Sequence, residues 1–431
     1  MYCLRERKEV NKDLFICMLM ICSVIFLFYF LDNTSIVHDY AESTRSYNES
    51  THLYLQNKYF GENSKQKIIG CKNIFEWDMS GVETARNSVT QDLKYWTHIK
   101  YQELTRNCSC FFEKRGYITH FLTTEEQRFP IAFSIIMYKN VQQVERLLRA
   151  IYRPQNIYCI HVDSKADIDI YKSISEISHC FENVFVLRKR IKVIWGKMSV
   201  LTPEILCMEE LWKRHKTWKY FINLTGQEFP LQTNYELVKI LKAYNGKNDI
   251  SVAKNESRRC SGRSRTPPPY GIQIMKGAVH IAVTRSYVDY VLHDRRARVI
   301  LKWMSHACAV PDEEFFATLN YNSHLQVPGS YKGYTRKSYL GRFKVWKSSI
   351  HYLRNITSPC YGKWVRSICI FSLKDLRRLS TRKELFANKF HLHENPLTYT
   401  CMEELIFNRT RDEFEGKRTL NASWYHQRSI S

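Results

Sequence analysis

The chain has 431 residues, of which 44% are hydrophobic, and it carries a formal net charge of +23. This length and composition allow one large domain or two ordinary ones, with a sizeable buried core. The Lys and Arg residues are scattered along the chain, which argues against nucleic acid as the partner. The charge instead predicts a basic surface facing anionic ligands or membranes, and a nucleotide-sugar diphosphate is one such ligand.

An uncharged apolar segment at residues 14–31, LFICMLMICSVIFLFYFL, predicts a transmembrane signal-anchor. A cleaved signal peptide is the alternative, but the apolar run is long for one and no small-residue cleavage site follows it. Residues 1–13 hold a small excess of Lys and Arg over acidic residues. This excess predicts a cytoplasmic tail, with the rest of the chain in the lumen as a single-pass type II protein.

Composition indicates three further regions. Residues 32–70 are polar and indicate a luminal stem, 71–129 indicate an irregular helical extension packed on the main domain, and 406–431 are assigned to a C-terminal tail. Asn-x-Ser/Thr sequons predict glycosylation in the lumen, and the candidates are Asn48, Asn107, Asn255 and Asn355. Asn223 also begins a sequon, but its apolar surroundings predict that it is buried.

The main domain begins with a predicted strand–helix–strand unit at 130–165. The apolar runs at 130–137 and 157–162 predict buried strands, and the helical spacing of apolar residues in 141–152 predicts the helix between them. The polar residues that follow the two strands therefore meet at the carboxyl edge of the sheet, where open α/β sheets bind ligands. Asp163 is thus a candidate ligand residue, although capping of the next helix explains the bare pattern equally well.

The alternation of strand-like and helical segments continues and predicts an α/β domain over 130–405. Strands are predicted at 184–187, 218–224 and 278–283, and helices up to 177 and at 205–213, 235–244 and 285–292. Residues 248–270 lack periodicity and contain three consecutive prolines, which predicts a surface loop.

Several familiar chemistries lack their motifs. The chain has no P-loop, HExxH, GxSxG or GxGxxG sequence. A DxD triplet at 167–169 is of the kind that metal-dependent glycosyltransferases use on a nucleotide diphosphate. Acidic residues also favour the first turn of a helix without any ligand, and a position on a helix surface is the preferred explanation of this triplet.

Seven sequence blocks together resemble the core 2/I-branching β1,6-N-acetylglucosaminyltransferases, a family that includes more distant relatives of the peptide xylosyltransferase type. The blocks are FPIAFSIIMYKN, LLRAIYRPQNIYCIHVDSK, CFENVFV, WKYFINLTGQEFPLQTN, PDEEFFATL, WVRSICIF and LFANKF. They follow the family's order and spacing. The resemblance implies a GT-A-like α/β fold, with a central, mostly parallel sheet flanked by helices, in a Golgi enzyme that works without a metal ion or other cofactor.

The same resemblance implies catalytic roles. Glu313 matches the general base, which takes the proton from the acceptor hydroxyl in an inverting transfer. Spacing alone does not separate it from Asp312 and Glu314, and helix N-terminal charge is the structural alternative for all three. Arg366 and Lys389 match the basic pair that neutralises the leaving diphosphate.

Other matched positions are implied to bind substrate. The two loop tips of the strand–helix–strand unit match the residues that hold uridine and ribose, and they are Ile136, Met137, Tyr138, Asp163, Ser164 and Lys165. Trp195 stands where the core 2 enzymes carry a Tyr of the donor pocket. Trp346 matches an aromatic residue of the acceptor site.

Eleven cysteines follow the predicted anchor, an odd number, so at least one is free or pairs between chains. The resemblance implies four disulfides, and these are Cys71–Cys401, Cys108–Cys180, Cys159–Cys207 and Cys360–Cys369. Cys110, Cys260 and Cys308 stay unassigned, which leaves a disulfide-linked or a non-covalent homodimer open.

The acceptor side departs from the family. A Glu position of the family is Ser251 here, a Tyr position is Ser348, and the basic sequence SRRCSGRSR aligns poorly. The resemblance implies transfer of N-acetylglucosamine from UDP-GlcNAc, in β1,6 linkage, to a galactose- or GalNAc-containing O-glycan at the Golgi membrane. The alternatives are a catalytically lapsed luminal UDP-binding protein of the same fold and a transferase that uses another UDP-sugar, such as UDP-xylose.

Overall fold

The computed structural model describes residues 51–60, 71–76, 82–83, 97–256, 259–260, 266–330, 339–347 and 359–430. The chain divides into two compact units, Met1–Ser64 and Lys65–Ser431. Residues 51–60 form a helix of the first unit, and the other elements belong to the second. The predicted anchor at 14–31 lies outside the described residues, and no helix within them combines the length and apolar character that a membrane span needs.

The second unit contains eleven strands within the described ranges. They are β1 (Ile131–Met137), β2 (Ile157–Val162), β3 (Val184–Val186), β4 (Tyr220–Thr225), β5 (Glu228–Pro230), β6 (Asp249–Glu256), β7 (Met275–Thr284), β8 (Arg342–Phe343), β9 (Trp364–Val365), β10 (Ile368–Cys369) and β11 (Phe386–Asn388). Six of them form the central sheet, in the order β3-β2-β1-β4-β7-β6. The four strands from β3 to β4 are parallel, whereas β7 and β6 run antiparallel to their neighbours. The predicted central, mostly parallel sheet is therefore present.

Helices cover both faces of this sheet. Those described in the second unit are α1 (Lys72–Phe75), α2 (His98–Thr105), α3 (Cys108–Arg115), α4 (Thr124–Gln127), α5 (Val141–Ile151), α6 (Ile168–His179), α7 (Thr202–Arg214), α8 (Asn234–Ala243), α9 (Arg285–His293), α10 (Arg295–Ala307), α11 (Phe315–Tyr321), α12 (Leu376–Ser380), α13 (Pro396–Phe414) and α14 (Ser423–Ile430). Helix α10 is not among the helices predicted from the sequence. Asp294 caps its start by accepting a hydrogen bond from the backbone N–H of Arg296.

Successive residues of β1 enter different cores because side chains alternate across a strand. Phe133 and Ile135 join a core with α5, α6 and α8. Ala132 lies on the opposite face of β1 and joins a second core with α7, α9 and α10. Burial on both faces explains why β1 and β2 have unbroken apolar sequences.

A smaller three-stranded sheet has the order β5-β11-β8. It packs with α1, α12 and α13 around a third core that contains Phe229, Phe371 and Tyr399. Helix α13 continues past residue 405, the predicted end of the main domain. Ile406, the next residue of the helix, is buried.

The structure corrects the prediction of a surface loop at 248–270. Residues Asp249–Glu256 form β6, the edge strand that pairs antiparallel with β7. Asn248 is completely buried, and its side-chain amide donates a hydrogen bond to the carbonyl of Pro328. The polar sequence hid this strand because its pairing partner, rather than its own periodicity, determines its conformation.

Five disulfides are present in the described residues. Four are the pairs that the resemblance implies, Cys71–Cys401, Cys108–Cys180, Cys159–Cys207 and Cys360–Cys369. The fifth joins Cys260 to Cys308, two cysteines that the resemblance does not pair. Of the cysteines that the structure describes, Cys110 alone has no disulfide.

Substitution of Ile135 by Ala is expected to lower the free energy of unfolding by about 2–5 kcal/mol, because Ile135 is fully buried and its truncation opens a cavity. Urea denaturation followed by circular dichroism measures this change. Ile99→Ala is the matched control, since Ile99 is 65% exposed on α2 and its loss should change the free energy by less than about 0.5 kcal/mol. Equal effects of the two substitutions would contradict the assigned core.

Candidate functional site

The two predicted loop tips meet at one edge of the central sheet. Met137 and Val162 are the last residues of the parallel strands β1 and β2 and lie in register. The backbone N–H of Asp163 donates a hydrogen bond to the carbonyl of Met137, with a length of 2.9 Å. Tyr138 and Lys165 therefore leave neighbouring strands side by side, and the Lys165 ammonium lies 5.3 Å from the centre of the Tyr138 ring.

The Asp163 carboxylate is held by backbone groups. It is 4% exposed, and its Oδ1 accepts hydrogen bonds from the backbone N–H groups of Lys165 at 2.9 Å and Val193 at 3.4 Å. Its Oδ2 lies 3.4 Å from the Lys165 ammonium. A fixed carboxylate with a nearby cation at this edge can accept hydrogen bonds from hydroxyl groups of a ligand.

His161 anchors the loop that follows β3. It is completely buried in β2, and its Nε2 accepts a hydrogen bond from the backbone N–H of Ile191. Burial lowers the pKa of His161 to about 4, against the opposing effect of Asp163, so the ring is neutral and free to accept.

The anchored loop presents Trp195 to solvent, with 78% of the residue exposed. Gly196 follows with a φ of +72°, and a Cβ there would approach the carbonyl of Ala309 to 3.3 Å. A side chain at Gly196 would be strained by that φ, so glycine suits this close approach. The loop with Trp195 therefore packs on the chain just before Glu313.

The acidic trio is divided by burial. Asp312 is 7% exposed and Glu314 is completely buried, whereas the Glu313 side chain is 29% exposed and lies 2.6 Å from Arg259. Burial raises the pKa of Asp312 to about 6, and Glu313 adds to the shift. Of the three carboxylates, Glu313 is the one best able to meet an acceptor hydroxyl.

One group of three potential metal ligands occurs in the described ranges, formed by Cys260, Cys308 and Glu314. The two sulfurs are bonded to each other, so they offer no thiolate to a metal. The DxD residues Asp167 and Asp169 are exposed at the start of α6, where the Asp167 carboxylate caps the helix by accepting from the backbone N–H of Asp169. This capping matches the preferred explanation of the triplet.

Arg366 occupies the two-residue turn between β9 and β10. Arg366 and Ser367 have φ values of 49° and 63°, the left-handed conformation that tight hairpin turns require. The Cys360–Cys369 disulfide closes the loop that carries this turn. Arg366 is exposed, so its guanidinium can reach a ligand.

Lys389 follows β11 and belongs to the same basic cluster. Its carbonyl accepts a hydrogen bond from the backbone N–H of Phe371, just after β10. Burial, together with repulsion from Arg366 and Lys139, lowers the pKa of Lys389. The fold thus joins the two cations implied by the resemblance to a third, Lys139, which lies two residues after β1.

The segment from Arg342 to Trp346, which begins with β8, lies beside this basic cluster. Trp346 pairs with Ile368 beside the Arg366 turn, and it is 40% exposed. Lys344 lies two residues earlier. Glu313 raises and Lys389 lowers the pKa of Lys344, so charges 76 positions apart in sequence act on the same side chain.

Some predicted positions are not assembled into this site by the described structure. Ser348 and the sequons at Asn48 and Asn355 lie outside the described residues. Asn107 is exposed and caps α3, and Asn223 is 1% exposed, as predicted. No role is predicted for Arg259 and Lys344 from the sequence, because a single basic residue carries no local signal that it will contact a distant carboxylate.

The chain is similar to known proteins over the region that builds this site. Residues 131–380 match the family model described as Core-2/I-Branching enzyme. A Homo sapiens "N-acetyllactosaminide beta-1,6-N-acetylglucosaminyl-transferase" is 34% identical over 338 residues, which cover 74% of this chain and 82% of that protein. A Bos taurus "Beta-1,3-galactosyl-O-glycosyl-glycoprotein beta-1,6-N-acetylglucosaminyltransferase" is 34% identical over 374 residues, with 80% and 86% covered.

Proposed function

Because this chain belongs to the core-2/I-branching enzyme family, we propose that it is an inverting glycosyltransferase with UDP-GlcNAc as its donor. It transfers N-acetylglucosamine in β1,6 linkage to a galactose- or GalNAc-containing O-glycan acceptor. The observation that carries this proposal is the accessibility of the Glu313 carboxylate, which is 29% exposed between the buried Asp312 and Glu314. It offers a carboxylate suited to activating a hydroxyl, and the basic cluster of Arg366 and Lys389 offers cations suited to a diphosphate.

The transfer is a single displacement. The acceptor oxygen attacks the anomeric carbon of the donor sugar while its proton passes to the Glu313 carboxylate. The bond between the anomeric carbon and the UDP oxygen breaks, and UDP leaves with the electron pair. Arg366 and Lys389 stabilise the negative charge that develops on the diphosphate.

We further propose that Asp163 and Lys165 hold the nucleotide, that the Tyr138 and Trp195 rings line its pocket, and that the reaction needs no metal ion. Two positive side chains at the diphosphate do the electrostatic work of a divalent cation. For the whole protein we propose a single-pass type II arrangement in the Golgi membrane with the site in the lumen. The five disulfides suit that oxidising compartment.

Transfer of labelled GlcNAc from UDP-GlcNAc to an array of O-glycan acceptors, measured with and without EDTA, tests this function. We expect transfer to at least one galactose- or GalNAc-terminated acceptor and no loss of rate in EDTA. Abolition of transfer by EDTA would contradict the metal-independent mechanism. UDP binding without transfer to any acceptor would indicate a UDP-binding protein of the same fold.

A further inference from the structure

A buried charged network lies beneath the proposed transfer site. At its centre is Glu228 on β5, which is completely buried. The Glu228 carboxylate accepts a hydrogen bond from Arg342 at 2.7 Å and one from the side-chain amide of Asn388 at 2.9 Å. Asn388 directly precedes Lys389, so the network touches the chain at the basic cluster.

His280 on β7 extends this network. Its Nε2 lies 2.7 Å from Glu228 Oε1, and its Nδ1 lies 3.0 Å from the Lys344 ammonium. An ammonium group can only donate hydrogen bonds, so Nδ1 must be the accepting, unprotonated nitrogen. Burial, with repulsion from Lys344, lowers the pKa of His280 to about 4, in agreement with a neutral ring.

Lys344 is the member of the network closest to solvent. Arg342, Lys344 and Trp346 are alternate residues of a segment that begins with β8 and ends at the bridge between Trp346 and Ile368. Exposure rises along this segment from the buried Arg342, through the half-buried Lys344, to the exposed Trp346. Lys344 is therefore the most exposed member of the network, while its ammonium contacts the buried His280.

Resting on the proposed function, we propose that Lys344 is a further donor-site cation. Its ammonium, held by His280 and joined through Glu228 and Asn388 to the chain at Lys389, strengthens the binding of the UDP diphosphate by its charge. Diphosphates are bound through the summed positive potential of their pocket, and a half-buried cation is screened less than an exposed one.

The proton on Lys344 controls this contribution. Burial lowers the pKa of Lys344 to about 8, with opposing effects from its charged neighbours. Glu228 on β5 and Glu313 raise the pKa of Lys344, whereas Arg342 on its own segment and Lys389 after β11 lower it. His280 on β7 contacts the ammonium directly. The ammonium form is complete well below pH 8 and is lost above it, so UDP affinity should decline as the pH rises through that value.

Titration calorimetry of the full-length protein with UDP, at pH 7 and pH 9, tests the inference. Lys344→Gln retains a donor for His280 without the charge, and it should bind UDP about tenfold more weakly at pH 7. Lys344→Arg keeps its charge at both values and should lose less affinity at pH 9 than the natural protein does. Lys347→Gln removes an exposed lysine three residues away and should bind within twofold.

Two results would overturn the inference, namely a folded Lys344→Gln protein with unchanged UDP affinity, or equal weakening at pH 9 in Lys344→Arg and the natural protein. The second comparison does not depend on whether Lys344→Gln folds. A natural protein that binds UDP with this Lys344 dependence but transfers no sugar would refute the transferase proposal alone. Absence of UDP binding in the natural protein would refute both.

Discussion

Replacement of Glu313 by Gln is expected to lower kcat for transfer from UDP-GlcNAc by about 10²–10⁴-fold. The amide keeps the shape of the side chain but cannot take the proton of the acceptor hydroxyl. Initial rates at saturating donor and acceptor measure the loss. The UDP affinity should remain similar, because the change removes the base and leaves the basic cluster of Arg366 and Lys389 intact.

Asp312→Asn is the neighbouring control for this substitution. Asp312 is 7% exposed, so its carboxylate is poorly placed to meet an acceptor, and we expect a fall of less than about tenfold from packing effects. A large loss in Asp312→Asn, with most of the activity retained in Glu313→Gln, would move the base to the neighbouring residue.

Substitution of Lys389 by Met is expected to lower kcat/KM by about 10²–10³-fold, because it removes a positive charge from the departing diphosphate in a partly dry site. Arg366→Met should have an effect of the same order. The two cations act on one leaving group, so the double variant should lose less than the product of the single losses. Steady-state kinetics with UDP-GlcNAc give all three values.

Lys302→Met provides the matched control, since Lys302 is an exposed lysine on α10, and its loss should leave kcat/KM unchanged within about twofold. If Lys389→Met behaved like Lys302→Met, the role of Lys389 at the diphosphate would be refuted. A strictly multiplicative double variant would show that Arg366 and Lys389 act on separate steps.

The strand–helix–strand unit was predictable because its information is local. Buried parallel strands need unbroken apolar runs, and a helix between them needs apolar residues at its own spacing. Once β1 and β2 are assigned as parallel, Tyr138 and Asp163 must emerge at the same edge. The predicted bounds of β2, 157–162, agree with the observed Ile157–Val162.

The edge strand β6 and the Cys260–Cys308 disulfide were not predictable in this way. The residues around β6 and Cys260 are polar and basic, and Cys260 and Cys308 are 48 residues apart in sequence. The strand conformation depends on pairing with β7. The disulfide depends on the position of Cys308, which follows α10. Neither leaves a periodic signal near Cys260, so the sequence of this segment predicts a loop.

The sequence by itself determined the α/β character of this protein, the sheet edge that carries the donor-site loops and, through its family blocks, the identity of Glu313, Arg366 and Lys389 as candidates. Only the tertiary structure decided which carboxylate of the acidic trio is accessible and that Lys139 and Lys344 join the same charged site. The physical reason is range. Periodicity and turn chemistry act over a few residues, whereas burial and the interaction of charges depend on segments that folding brings together.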